Sequence, residues 1–141
     1  MRTKLVIAAA GLGLMLASVP AIAHHSFAAE FDADKPFKLT GVVTKIEWQN
    51  PHTFFYLDIT DERTKKVTNW AFEMGSPNGL MRQGWTRNTL HVGDEVMVEG
   101  SQAKDGANVG NARVVTLAAS GKRLFAATSQ TDTPQQQQQQ R

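Results

Sequence analysis

Twenty residues, GVVTKIEWQNPHTFFYLDIT from Gly41 to Thr60, restrict the folds open to this chain more than any other stretch. They form two runs rich in β-branched and aromatic residues, interrupted once by Gln49-Asn50-Pro51, and such a pattern predicts a β-hairpin. Strand side chains alternate between faces with period two, so Phe55, Leu57 and Ile59 share one face and Phe54, Tyr56 and Asp58 the other. The first set suits a core, while the second turns aromatic rings outward. His52 sits in the break, where a turn can present its imidazole as a ligand.

The same alternation runs on either side. The first run spans Phe37 to Trp48, with Val42, Thr44, Ile46 and Trp48 on one face and Gly41 and Val43 on the other. Gly41 within a strand predicts a bulge or sharp bend. After the charged loop Asp61 to Lys66, a third strand is expected from Val67 to Met74, with Trp70, Phe72 and Met74 on one face. Ser76-Pro77 then reads as a helix N-cap followed by proline at the first helical position, and Gly84 as the stop. Leu80, Met81 and Trp85 are the expected buried contacts of this short helix. Gly93-Asp94 turns the chain into a fourth strand, Glu95 to Gly100, with Val96 and Val98 inward. The fifth strand follows from Asn111 to Ala118, and Lys122 to Phe125 adds a brief pairing.

Three strands, a short helix and two more strands is the order of the OB-fold, a five-stranded Greek-key barrel with its helix between strands three and four. The fold class is therefore mostly β, a small OB-like barrel. A β-sandwich, the rival architecture, generally needs about seven strands.

The two ends differ in character. Arg2 and Lys4 precede an apolar run from Leu5 to Val19, and Ala21-Ile22-Ala23 has the small-x-small pattern of a signal-peptidase site. Residues 1–23 thus read as a cleavable signal peptide, which predicts export to the periplasm and no membrane anchor in the mature chain. Residues 24–36 form a lead-in whose Phe27 and Phe31, four apart, suit one helical turn packed on the barrel. The barrel domain occupies 37–127. Residues 128–141, TSQTDTPQQQQQQR, have too little apolar surface to offset chain entropy and read as a disordered Gln-rich tail.

Losing Arg2 and Lys4 leaves thirteen basic residues against thirteen acidic ones. A neutral chain lacks the basic patch that phosphate backbones require, so no nucleic-acid partner is expected. Cysteine is absent, which excludes disulfides, thiolate metal ligands and a cysteine nucleophile. No nucleophile elbow, P-loop, dinucleotide fingerprint or paired-carboxylate pattern is present, so no catalytic residue is assigned.

Taken as a set, Ala23-His24-His25-Ser26-Phe27, Trp48-Gln49-Asn50-Pro51-His52, Ser76-Pro77 with Gly84-Trp85, and Val92-Gly93-Asp94 with Val96 and Val98 resemble the exported bacterial family of unknown function numbered 6152 (DUF6152). The resemblance covers about residues 24 to 118. It implies compartment and small-barrel shape, and it implies no catalytic residue.

Two candidate sites follow from the residues. Cleavage after Ala23 gives His24 a free α-amino group beside its imidazole, and an amine with an ordinary pKa near 8 yields its proton to a metal at neutral pH. A third nitrogen from His25 or His52 completes the planar set that Cu(II) prefers, an arrangement that resembles the histidine brace of other exported copper proteins in its chemistry. Copper is the expected cofactor of this reading, with His24, His25 and His52 as ligands. The plainer alternative makes His24 and His25 a frayed end and His52 a cap on the turn after Pro51. The second candidate is a binding module, in which Phe54 and Tyr56, with Trp70 beside them, meet a periplasmic protein, a peptide or a sugar on the face of strands two and three. Against it, Trp48, Trp70, Phe72 and Trp85 also suit a barrel core.

Overall fold

A computed structural model describes residues 27–127. Residues 1–23, expected to be a signal peptide, His24 and His25, and the Gln-rich tail lie outside the described residues.

The chain begins with α1 (Phe27–Glu30) and passes directly into the long strand β1 (Phe31–Glu47), then β2 (Phe54–Thr60) and β3 (Val67–Glu73). The helix α2 (Pro77–Arg82) follows, and β4 (Glu95–Ala103), β5 (Val109–Leu117) and β6 (Arg123–Phe125) complete the order. The strands form one sheet, β3-β2-β1-β4-β5-β6, which closes on itself because β3 also pairs with β5. That closing pair is parallel, Ala71 to Val109 and Glu73 to Asn111, whereas every other pair is antiparallel. Five strands therefore make a ring with α2 between the third and the fourth, the expected OB-like arrangement. Lys122 to Phe125 pairs as expected: β6 lies alongside β5 through Val114–Phe125 and Thr116–Arg123.

Closing the ring encloses the core. Phe55, Leu57, Phe72, Met74, Leu80, Val96, Val98 and Val115 are fully buried, and Trp85 nearly so. Phe37 reaches across the interior to the rings of Phe72, centroid at 5.5 Å, and Trp70 at 6.0 Å. It fits because Gly100 and Gly110 leave its path open: a Cβ on Gly110 would lie 2.4 Å from Phe37 Cε1. Ser76 caps α2 by accepting the Gly79 N–H at 3.2 Å, and the chain leaves through Gly84 at a φ of +94°. Trp85 Nε1 then donates to Phe125 O at 2.8 Å, which fastens the helix to β6.

Three local expectations are corrected. The irregularity in β1 is not at Gly41: Val43 pairs with Leu57 and Lys45 with Tyr56, so Thr44 is the extra residue of a bulge. A bulge shifts strand parity by one, so Val43 is buried and Val42 exposed before it, while Ile46 and Trp48 pack on the core after it. Gly41 instead serves close approach, since a Cβ there would come within 2.6 Å of Asp58 O. Next, β1 starts six residues before the expected Phe37, with Phe31 paired to Ala103. Finally, Met81 faces solvent at 52% exposure; the single buried stripe of so short a helix is filled by Pro77 and Leu80.

Candidate functional site

Residues paired across a sheet point to the same side, so the register draws the outer face of the ring. One row runs Lys45, Tyr56, Ala71, Val109 across β1, β2, β3 and β5; the next runs Glu47, Phe54, Glu73. Two connections flank these rows. Residues 48–53 carry His52 at one end, and residues 104–108, between β4 and β5, stand at the other with α1 packed against them. Between α1 and that second loop lies a depression of about 370 Å³ whose lining includes Ala29, Glu30, Phe31, Lys104 and Val109. The outer face of β2 and β3 thus carries Tyr56, Phe54 and Glu73, with the His52 connection at the Phe54–Glu73 end and the depression under α1 beside Val109.

His52 follows a cis Asn50–Pro51 bond and is held by the end of β3. Its Nδ1 lies 3.2 Å from Met74 O, with Glu73 Oε1 3.6 Å away. A carbonyl can only accept, so Nδ1 carries the proton and Nε2 keeps its lone pair in the neutral ring. The side chain is 30% exposed. This is the usual posture of a histidine that binds metal through one nitrogen while the other donates to a carbonyl or carboxylate. Among the described residues, however, no group of three or more histidine, cysteine, aspartate or glutamate side chains is placed to hold a metal ion. His52 needs ligands from elsewhere, and His24 and His25 lie outside the described residues.

The outer face carries its own polar network. Tyr56 Oη donates to Glu47 Oε2 at 2.7 Å, Lys45 Nζ donates to Glu47 Oε1 at 2.5 Å, and the Lys45 ammonium stands 5.1 Å from the Tyr56 ring centroid. The lysine hydrogen bond, then that of the tyrosine, holds the Glu47 carboxyl below its ordinary range. The same contact with Glu47, helped by burial, raises the Tyr56 phenol.

Of the proposed aromatic binders, Phe54 and Tyr56 share this outer face. Trp70 does not: it pairs with Leu57, points inward and stacks on Phe72 at 6.0 Å. Trp70 belongs with the core, so the three rings form no common platform. His91 lies in the connection between α2 and β4, its backbone N–H donating to Asp94 Oδ2 at 2.8 Å.

Sequence reading missed four participants. Glu73 was legible in principle, because it alternates with Trp70 and Phe72 and so faces outward beside Phe54. Lys45 and Glu47 were legible in the same way, since they alternate with Ile46 and Trp48 in the regular part of β1 after the bulge. Lys104 meets α1 through contacts with Ala28 O and Glu30 O that join distant parts of the chain, and no local pattern signals that.

No curated protein and no solved structure matches the chain. A family model described as a family of unknown function (DUF6152) matches residues 11–112, well over half of the 141 residues. The chain belongs to that family.

Proposed function

We propose that the protein is an exported periplasmic binding or accessory protein that holds Cu(II) where its processed chain end meets the outer face of β2 and β3. Signal cleavage after Ala23 exposes the α-amino group of His24. That amine and the His24 imidazole supply two nitrogens, and His52 Nε2 supplies the third, with His25 as the alternative donor.

The observation that carries this reading is the hydrogen bond from His52 Nδ1 to Met74 O, which leaves Nε2 as the ring nitrogen for a metal. The spacing of the strands is compatible with it. Val109, which α1 borders, pairs with Ala71, and Glu73 lies two residues further along β3, a diagonal of about 8 Å from strand spacing and rise. The three residues from Phe27 back to His24 span about 10 Å when extended. Neutral imidazole and a deprotonated amine are the nitrogen donors that suit Cu(II).

Anaerobic titration with Cu(II) of the chain beginning at His24 tests the reading. A near-stoichiometric site is expected, and it should vanish when one extra Met or Gly precedes His24, because the amine then leaves the chelate. Equal binding by the extended chain overturns the copper assignment. What would then stand is a module that meets a protein, peptide or sugar through Phe54 and Tyr56, which share the outer face next to the depression.

A further inference from the structure

Asn78-Gly79 is the only pairing of an asparagine with a following glycine in the sequence. In such a pair the backbone nitrogen after the asparagine can attack the side-chain amide carbon, and glycine hinders it least because it has no Cβ. Asn78 is exposed. Two features of α2 hold the reaction back. Both residues lie in its first turn, behind Pro77, and helical dihedrals keep Asn78 Cγ away from the Gly79 nitrogen. That nitrogen is also occupied: its N–H donates to Ser76 Oγ at 3.2 Å, which favours the protonated amide over the deprotonated nucleophile. A helix of six residues frays at its ends, so this one cap governs how often the nitrogen is released.

We infer that Asn78 is a site of spontaneous deamidation whose rate is set by the Ser76 cap on Gly79. When the cap opens, the Gly79 nitrogen gives up its proton and bonds to Asn78 Cγ. The bond from Cγ to the side-chain nitrogen breaks, and that nitrogen leaves as ammonia with the proton. Water then opens the cyclic imide at either carbonyl, giving aspartate or isoaspartate at position 78. Aspartate keeps the backbone intact and suits a first turn, where the helix dipole favours negative charge. Isoaspartate adds a methylene to the main chain, between the partners of the 2.9 Å bond from Leu80 N–H to Ser76 O. Leu80 is fully buried, and Trp85 just past the helix ties to Phe125 O. The altered linkage therefore loosens the segment that fastens α2 to the barrel. The inference is independent of the copper reading.

The experiment incubates the full chain in mildly alkaline buffer, native and in urea, and follows conversion at position 78 by peptide mapping with mass spectrometry. The forms compared are wild type, Ser76→Ala, Ser76→Gly, Ser76→Thr and Asn78→Gln. Native wild type should convert more slowly than unfolded wild type. Ser76→Ala should convert about two- to thirtyfold faster than native wild type, the range by which losing a serine cap shifts a helix end toward its open form. Ser76→Gly removes the same oxygen at little cost to the helix and should also convert faster, which keeps the test decisive where Ser76→Ala does not fold. Ser76→Thr retains the acceptor and should stay near wild type, and Asn78→Gln should not convert. Asp105-Gly106, whose Gly106 N–H donates to Ala103 O at 3.1 Å, isomerises through the same kind of imide and reports in the same digests whether the whole fold has loosened. A rise at Asn78 alone supports the inference. Wild-type rates in the folded Ala and Gly variants overturn it, as does equal conversion of native and unfolded wild type, or a rise at Asp105 that matches the rise at Asn78.

Discussion

Glu47 accepts from Lys45 and from Tyr56 at once, and the two donors favour its charged form. Its carboxyl is held below the ordinary value of 4.5 in the folded chain. A group depressed on folding stabilises the fold above its unfolded pKa, and that contribution is lost as pH falls through the folded value. The arrangement therefore favours the native face at neutral pH and weakens in acid, below the usual carboxylate range. Tyr56→Phe removes the second of the two donors while Lys45 remains. Carboxyl carbon NMR should then show Glu47 titrating at a higher pH than in wild type, still below an unperturbed glutamate. An unchanged midpoint would mean that the phenol gives the carboxylate nothing. At this scale the sequence was legible wherever a single alternation decided the outcome, as in the buried Phe55 and Leu57 against the outward Phe54 and Tyr56. It misled at Trp70, because proximity on a neighbouring strand was taken for membership of the same face. The register assigns Trp70 to Leu57, and Tyr56 to Ala71.

Strands and helix were readable because their signals are local. Period-two runs marked β2 through β5, and serine before proline marked the start of α2, where Ser76 does accept the Gly79 N–H. The N-terminal part of β1 was not readable, since residues 32–36, Asp-Ala-Asp-Lys-Pro, carry no large apolar side chain and are mostly exposed. It is a strand by backbone pairing with β4 and not by burial, and the pairing itself is irregular, with five positions on β1 set against two on β4 between Phe31 and Pro36. The bulge at Thr44 had no residue-type signature either. Closer to the core, the elements cross at a fixed spacing set by absent side chains. Phe37 of β1 lies against Gly110 of β5, where a Cβ would approach its ring to 2.4 and 2.6 Å. Gly110→Ala should overpack that crossing and cost about 1–3 kcal/mol, read as a lower urea midpoint at an unchanged slope. A midpoint equal to wild type would show that Phe37 can move aside, and that the crossing is looser than its distances indicate.

For the molecule as a whole, the order of strands around one helix was enough to anticipate a closed five-stranded ring, because few arrangements bury so many alternating strands in so short a chain. The surroundings of the candidate residues were not anticipated. They depend on how β5 enters beside β3 at Val109 and Ala71, on the seating of α1 against the loop of residues 104–108, and on the carbonyl that fixes His52. Each of these joins parts of the chain that are distant in sequence. The central claim is that the processed end and His52 meet over the face of β2 and β3, and Cu(II) itself can report it. Paramagnetic broadening of amide signals, recorded on the chain beginning at His24 with substoichiometric Cu(II), gives a map of what lies near the metal. The account predicts that Thr53, Phe54, Glu73 and Met74 broaden together with Phe27 and Ala28, while the Asp61–Lys66 loop stays sharp. Broadening confined to the first residues, with Phe54 and Glu73 unaffected, would contradict it.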